Sequence, residues 1–90
     1  DEELLEKVRG KGEYFTARLK EIEGVEEVSG LGLMIGIKTA KPAAEIAAEC
    51  VKRGLLVLTA HSRVRLLPPL TISKEEIDFA LKILNEVIRG

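Results

Sequence analysis

Arg63 and Arg65 alternate with Val64 and Leu66 in the stretch RVRLLPPL, an apolar run that two prolines close. A strand through these residues points both guanidiniums to one side and both apolar side chains to the other. An unpaired guanidinium is too costly to bury. Arg65 therefore reaches solvent, pairs with an internal acid, or faces a pocket completed by something outside this chain. Its planar fork of donors suits a carboxylate gripped at both oxygens. On the residues alone, a strand-edge salt bridge is favoured over a substrate-facing role.

Other chemistry is sparse. With one His, one Cys and serines at 29, 62 and 73, the material for a nucleophilic triad is thin. Ser73 is claimed by a helix cap, Cys50 falls on a small-residue helix face as a core thiol, and His61 lies in a turn as an exposed loop residue. A closed zinc site needs four ligands that one His and one Cys do not supply, so no metal is expected. Gly30-Leu31-Gly32 lacks the further glycines of a dinucleotide fingerprint and the GK[ST] of a P-loop, and is read as a tight turn.

The elements that must hold these residues follow from periodicity. Leu4, Val8, Phe15, Leu19 and Ile22 share one stripe of a helix over 2–23, and Gly12 on that stripe invites a close backbone approach. Strands are expected at 25–29 and 33–38, with 30–32 as the turn between them and Gly36 marking another backbone nearby. Pro42 opens a helix over 42–53 whose inner face is Ala43, Ala47, Cys50 and Val51. Strands 55–59 and 64–67 follow, and Pro68-Pro69 stops the ladder. Ser73-Lys74-Glu75-Glu76 is a capping box. The helix it opens, 74–88, buries Ile77, Ala80, Leu81, Leu84, Val87 and Ile88. This order predicts an α+β fold: one two-layer domain over 1–90, three helices on a small, largely antiparallel sheet.

Charged residues make up 32% of the chain but cancel to a net charge of -1, which argues against nucleic acid. Tyr14, Phe15 and Phe79 are too few for a base-stacking platform. No apolar run approaches the roughly 20 residues of a membrane span. The acidic opening DEELLEKVRG is unlike a signal peptide, and a lone Cys50 suits a reducing, cytoplasmic setting.

Three blocks, VEEVSGLGLMIGI, KRGLLVL and VRLLPPLTISKEEIDFALKIL, resemble the C-terminal small domain of the class-III pyridoxal-phosphate aminotransferases, preceded by EKVRGKGEYF on the first helix. The wording is nearest the acetylornithine branch, with the ornithine and 4-aminobutyrate branches as relatives. The resemblance implies the C-terminal domain of fold type I, in a parent enzyme that passes an amino group between N-acetylornithine, or a related amine, and 2-oxoglutarate in arginine biosynthesis. It implies Arg65 as the substrate-carboxylate residue and Gly32 as part of a glycine turn near the active-site mouth. Ser29 stands where the family wording commonly has an Arg.

The same resemblance implies that pyridoxal 5'-phosphate is held by a large domain outside these residues. No lysine here (Lys7, Lys11, Lys20, Lys38, Lys41, Lys52, Lys74 or Lys82) matches the cofactor-bearing motif. The chain is then expected to be the C-terminal fragment of a homodimeric enzyme, inactive alone and binding no cofactor. Its partners are the large domain, against which the first helix packs, and small-molecule substrates. A stand-alone small-molecule-binding regulatory module is the alternative.

Overall fold

The computed structural model describes residues 2–90. Its elements are α1 (Glu2–Lys20), β1 (Val25–Leu31), β2 (Met34–Thr39), α2 (Ala43–Lys52), β3 (Leu58–Ala60), β4 (Arg63–Leu66) and α3 (Lys74–Arg89). Three helices lie on a four-stranded sheet of order β1-β2-β4-β3, and every pairing is antiparallel. The fold is α+β. β4 inserts between β2 and β3, so the successive strands β2 and β3 are not neighbours; α2 carries the chain across between them.

Alternation decides what the sheet packs. Ile35 and Ile37 on β2 oppose Leu66 and Val64 on β4, and all four are buried beneath the helices. α3 supplies Ile77, Ala80, Leu81, Ile83, Leu84, Val87 and Ile88, and touches both α1 and α2. α1 contributes Gly12, Phe15 and Leu19 from its second half, while Leu4 and Leu5 near its start are exposed. No polar or charged residue among those described is buried.

Several elements end elsewhere than periodicity predicts. α1 stops at Lys20 and not at residue 23. The amides of Glu21 and Ile22 reach back three residues, to Arg18 and Leu19, and Gly24 takes φ +101°. β1 runs on to Leu31, so the turn falls at Gly32, with φ +61°. Pro42 precedes the α2 helix with an extended ψ of 135°, capping it without being its first residue. On α2 the buried residues are Ala43, Ile46 and Cys50, while Val51 is exposed because a further 100° of rotation carries it off the stripe.

The largest difference is at the strand expected over 55–59: residues 55–57 do not pair, and the strand formed is Leu58–Ala60. A strand exists only where a partner offers its ladder. β4 begins at Arg63, and the His61-Ser62 turn sets Ala60 opposite Arg63. Leu56 is left exposed, and the Leu55 amide bonds instead to the Cys50 carbonyl at 2.8 Å. Both turn residues have positive φ, 52° and 65°, the pattern of a type I′ hairpin built without glycine.

Candidate functional site

The face of the sheet turned away from the helices is bare, and Arg65 stands near its middle. Val64 and Leu66 on either side are buried in the core, which fixes the strand and forces Arg65 outward. Arg65 lies opposite Gly36 on β2 and Leu58 on β3. Gly36 has no side chain to crowd the guanidinium. Its nearest neighbour is the Ser29 hydroxyl, 3.2 Å from where a Cβ would sit, and not another backbone. Met34 shares this face of β2, and it is exposed together with Leu58 and with Leu67 just past β4. A half-buried arginine is thus rimmed by apolar side chains.

Arg65 has no carboxylate partner among the described residues, and its Nε is buried without a hydrogen bond. The strand-edge salt bridge belongs to Arg63, whose Nη2 donates to Glu27 Oε2 at 2.6 Å. That contact, first through its hydrogen bond and then its charge, holds the Glu27 carboxyl below its ordinary 4.5, with Lys38 adding to the effect. Glu27 was not marked by any local signal, because it lies on the far edge strand from β4.

Gly32 sits at the tip of the β1–β2 hairpin and packs on α1. A Cβ at Gly12 would lie 2.3 Å from the Gly32 carbonyl oxygen, so the two backbones touch. The close approach expected at Gly12 is therefore made to this turn. Gly32 and Arg65 flank β2 at different levels, one at the tip and one opposite Gly36.

His61 and Ser62 are exposed at the hairpin turn, and burial pushes the Cys50 thiol up from its ordinary value. No group of three potential metal ligands occurs among the described residues, and no helix there is long and apolar enough to cross a membrane. One polar cluster sits between α1 and α3. The Tyr14 hydroxyl donates to Asp78, Arg18 donates to the Tyr14 oxygen at 3.1 Å, and the Lys74 ammonium lies 5.1 Å from the ring centre. The Tyr14 hydrogen bond, then that of Lys74, lowers the Asp78 carboxyl, while Asp78 raises Lys74. This cluster ties two helices together on the side of the domain opposite the bare face.

The sequence profile of the class-III aminotransferases matches residues 1–88. The chain belongs to this family. It is 41% identical over 88 residues to an acetylornithine aminotransferase of Aquifex aeolicus, covering 97% of this chain and 23% of that protein. An ornithine aminotransferase of Staphylococcus carnosus is 43% identical over 90 residues, with the same coverage of each. Among solved structures, a lysine aminotransferase from M. tuberculosis superposes with a TM-score of 0.84 at 31% identity, over 98% of this chain and 22% of that one. The chain thus spans about a quarter of the length of the relatives it matches. Its fold is that of the C-terminal subdomain of the type-I aminotransferases.

Class-III aminotransferases depend on pyridoxal phosphate, and the residues here do not fit that group. A Schiff-base lysine must be an amine held in a cofactor cleft. Lys7, Lys38, Lys52 and Lys74 are exposed beside Glu3, Glu26, Glu49 and Asp78, Lys41 donates to the Val87 carbonyl, Lys11 is half-buried on α1, and Lys20 and Lys82 lie on the surface. None is buried.

Proposed function

We propose that this chain is the C-terminal small domain of a pyridoxal-phosphate-dependent aminotransferase, and that Arg65 holds a substrate carboxylate there. The observation that carries the reading is the state of Arg65: a half-buried guanidinium on an uncovered face, with a buried Nε that has no hydrogen-bond partner among the described residues. A planar carboxylate would satisfy it in bidentate fashion, and the Met34, Leu58 and Leu67 rim would exclude water from the pair.

In this reading the large domain of the same polypeptide holds the cofactor, and the bare sheet face closes toward it. The Gly32 turn lies near the mouth of the site, and the parent is a homodimer of the cytoplasm, a compartment that a free, buried Cys50 suits. The substrates are N-acetylornithine and 2-oxoglutarate, as in arginine biosynthesis. Similarity to an acetylornithine aminotransferase supports that choice, and ornithine and lysine are the competing donors that the other relatives suggest.

The experiment uses the full-length protein and a panel of N-acetylornithine, ornithine, lysine and 4-aminobutyrate with 2-oxoglutarate. The expected result is the highest kcat/KM for N-acetylornithine. Arg65→Lys should lower kcat/KM at least tenfold, because a point charge replaces a planar fork, on the order of 1.4 kcal/mol. Equal rates with Arg65→Lys would remove the carboxylate role. The isolated chain should show no transaminase activity and no borohydride-trapped cofactor on any of its lysines; a trapped lysine would overturn that part.

A further inference from the structure

Arg63 and Arg65 project from one face of β4, and residues two apart on a strand stand about 7 Å apart. Two guanidiniums at that spacing repel, yet both occupy the bare face. The face resolves the conflict by pairing. Arg63 is drawn across β2 to Glu27 at 2.6 Å, and Lys38 lies 3.9 Å from Glu26. Arg65 is the cation on this face that is left without a carboxylate among the described residues. Arg63 also keeps unused capacity, since its Nη1 is buried with no hydrogen-bond partner.

We infer that Glu27 is a positioning residue for the Arg65 site: by tethering and neutralising Arg63, it leaves one uncompensated positive charge there, and so sets the balance between a dianionic oxo-acid acceptor and a donor that carries a cationic amine. The inference rests on the carboxylate reading of Arg65. Removing the Glu27 charge frees Arg63, which adds a second positive charge beside the first. A dicarboxylate is then attracted more strongly, while a donor such as N-acetylornithine, whose carboxylate and ammonium offset, is affected little. Removing Arg63 instead leaves Glu27 without its arginine, and the effect on the dicarboxylate reverses. A contact that merely held the sheet together would move both substrates alike.

The test is Glu27→Gln and Arg63→Gln in the full-length protein, with KM and kcat measured for 2-oxoglutarate and for the amine donor. For one added charge at about 7 Å across a partly solvated face, Glu27→Gln should lower KM for 2-oxoglutarate about three- to fivefold and leave that for N-acetylornithine within about twofold. kcat should move less than the 2-oxoglutarate KM, and the shift should shrink as salt rises from about 0.05 to 0.5 M. Arg63→Gln should shift the 2-oxoglutarate KM the opposite way, which keeps the test available if the first variant folds poorly. A ratio of the two KM values within about twofold of wild type in both variants would overturn the inference. Arg65→Ala separates this from the parent reading. If that variant loses carboxylate affinity while the ratio stays fixed in the other two, only the role of Glu27 fails. If Arg65→Ala changes nothing, the carboxylate site itself is wrong.

Discussion

The two faces of one sheet are made by the same strands and treat their residues oppositely. On the helix side, Ile35, Ile37, Val64 and Leu66 are buried among apolar neighbours. On the other side, one residue along each strand, stand Gly36, Lys38, Arg63 and Arg65, with two ion pairs, an exposed apolar rim and a guanidinium that lacks a carboxylate partner among the described residues. The first face satisfies itself and the second does not. Period-two alternation lets a four-residue strand such as β4 do both, because each residue assigned to stability places the next one outward. In the proposed function, the large domain and a substrate carboxylate would supply what the second face lacks.

If the division holds, substitutions on the packed face should cost stability. Ile37→Ala empties a fully buried site and should destabilise by about 2–5 kcal/mol, read from the urea midpoint. A cost below about 1 kcal/mol would blur the contrast between the faces. The seam where α1 meets the β1–β2 turn comes next. Gly12→Ala drives a methyl into the Gly32 carbonyl, 2.3 Å from the Cβ position, and should cost about 1–3 kcal/mol. Gly10 on the same helix has nothing within 4 Å, so Gly10→Ala should instead stabilise by about 0.5–1 kcal/mol. Equal effects from the two would mean that helix propensity, and not the close approach, rules at Gly12.

The β3–β4 turn sharpens the comparison further. His61→Asn with Ser62→Gly suits the positive φ values and should raise stability by about 1 kcal/mol, measured by thermal melting. The smallest effect concerns acid. Glu27, Glu76 and Asp78 all have carboxyls held below their ordinary values of 4.5, 4.5 and 3.8, by Arg63, the Ser73 cap and Tyr14 respectively. A carboxyl that is more acidic when folded adds stability above its unfolded pKa, and that stability is lost as pH falls through the folded value. The urea midpoint should therefore hold steady near neutrality and decline as pH drops below about 4.5. A midpoint that rises in that interval would contradict the assignment.

Local signals in the sequence were legible and long-range ones were not. The Ser73–Glu76 capping box forms with both hydrogen bonds in place, because every group it needs lies within one turn of helix. The alternation that turns Arg65 away from Val64 and Leu66 is likewise local. β3 is shorter than its apolar run because pairing depends on where β4 begins, a tertiary fact. Gly12 announced a close approach, but only the folded chain shows that Gly32 is what it meets. The Arg63–Glu27 pair joins residues from opposite sides of β2, and neither one's neighbours mark the other. For the same reason the sequence left Arg65 open between an internal acid and an outside partner. The structure gives the acid to Arg63.

The most direct measurement compares Arg65→Ala with Ile37→Ala in the full-length protein, recording kcat/KM for 2-oxoglutarate and the amine donor alongside the melting temperature. Losing one partner of a buried, charge-assisted pair costs about 2–5 kcal/mol, a fall in kcat/KM of about thirty- to several-thousandfold. The account predicts that loss for Arg65→Ala for at least one substrate, with a melting temperature within about 2 °C of wild type, and a lowered melting temperature for Ile37→Ala. A kcat/KM within about threefold of wild type for both substrates, or a drop in melting temperature matching that of Ile37→Ala, would make Arg65 a structural residue and remove the claim that the bare face holds a carboxylate.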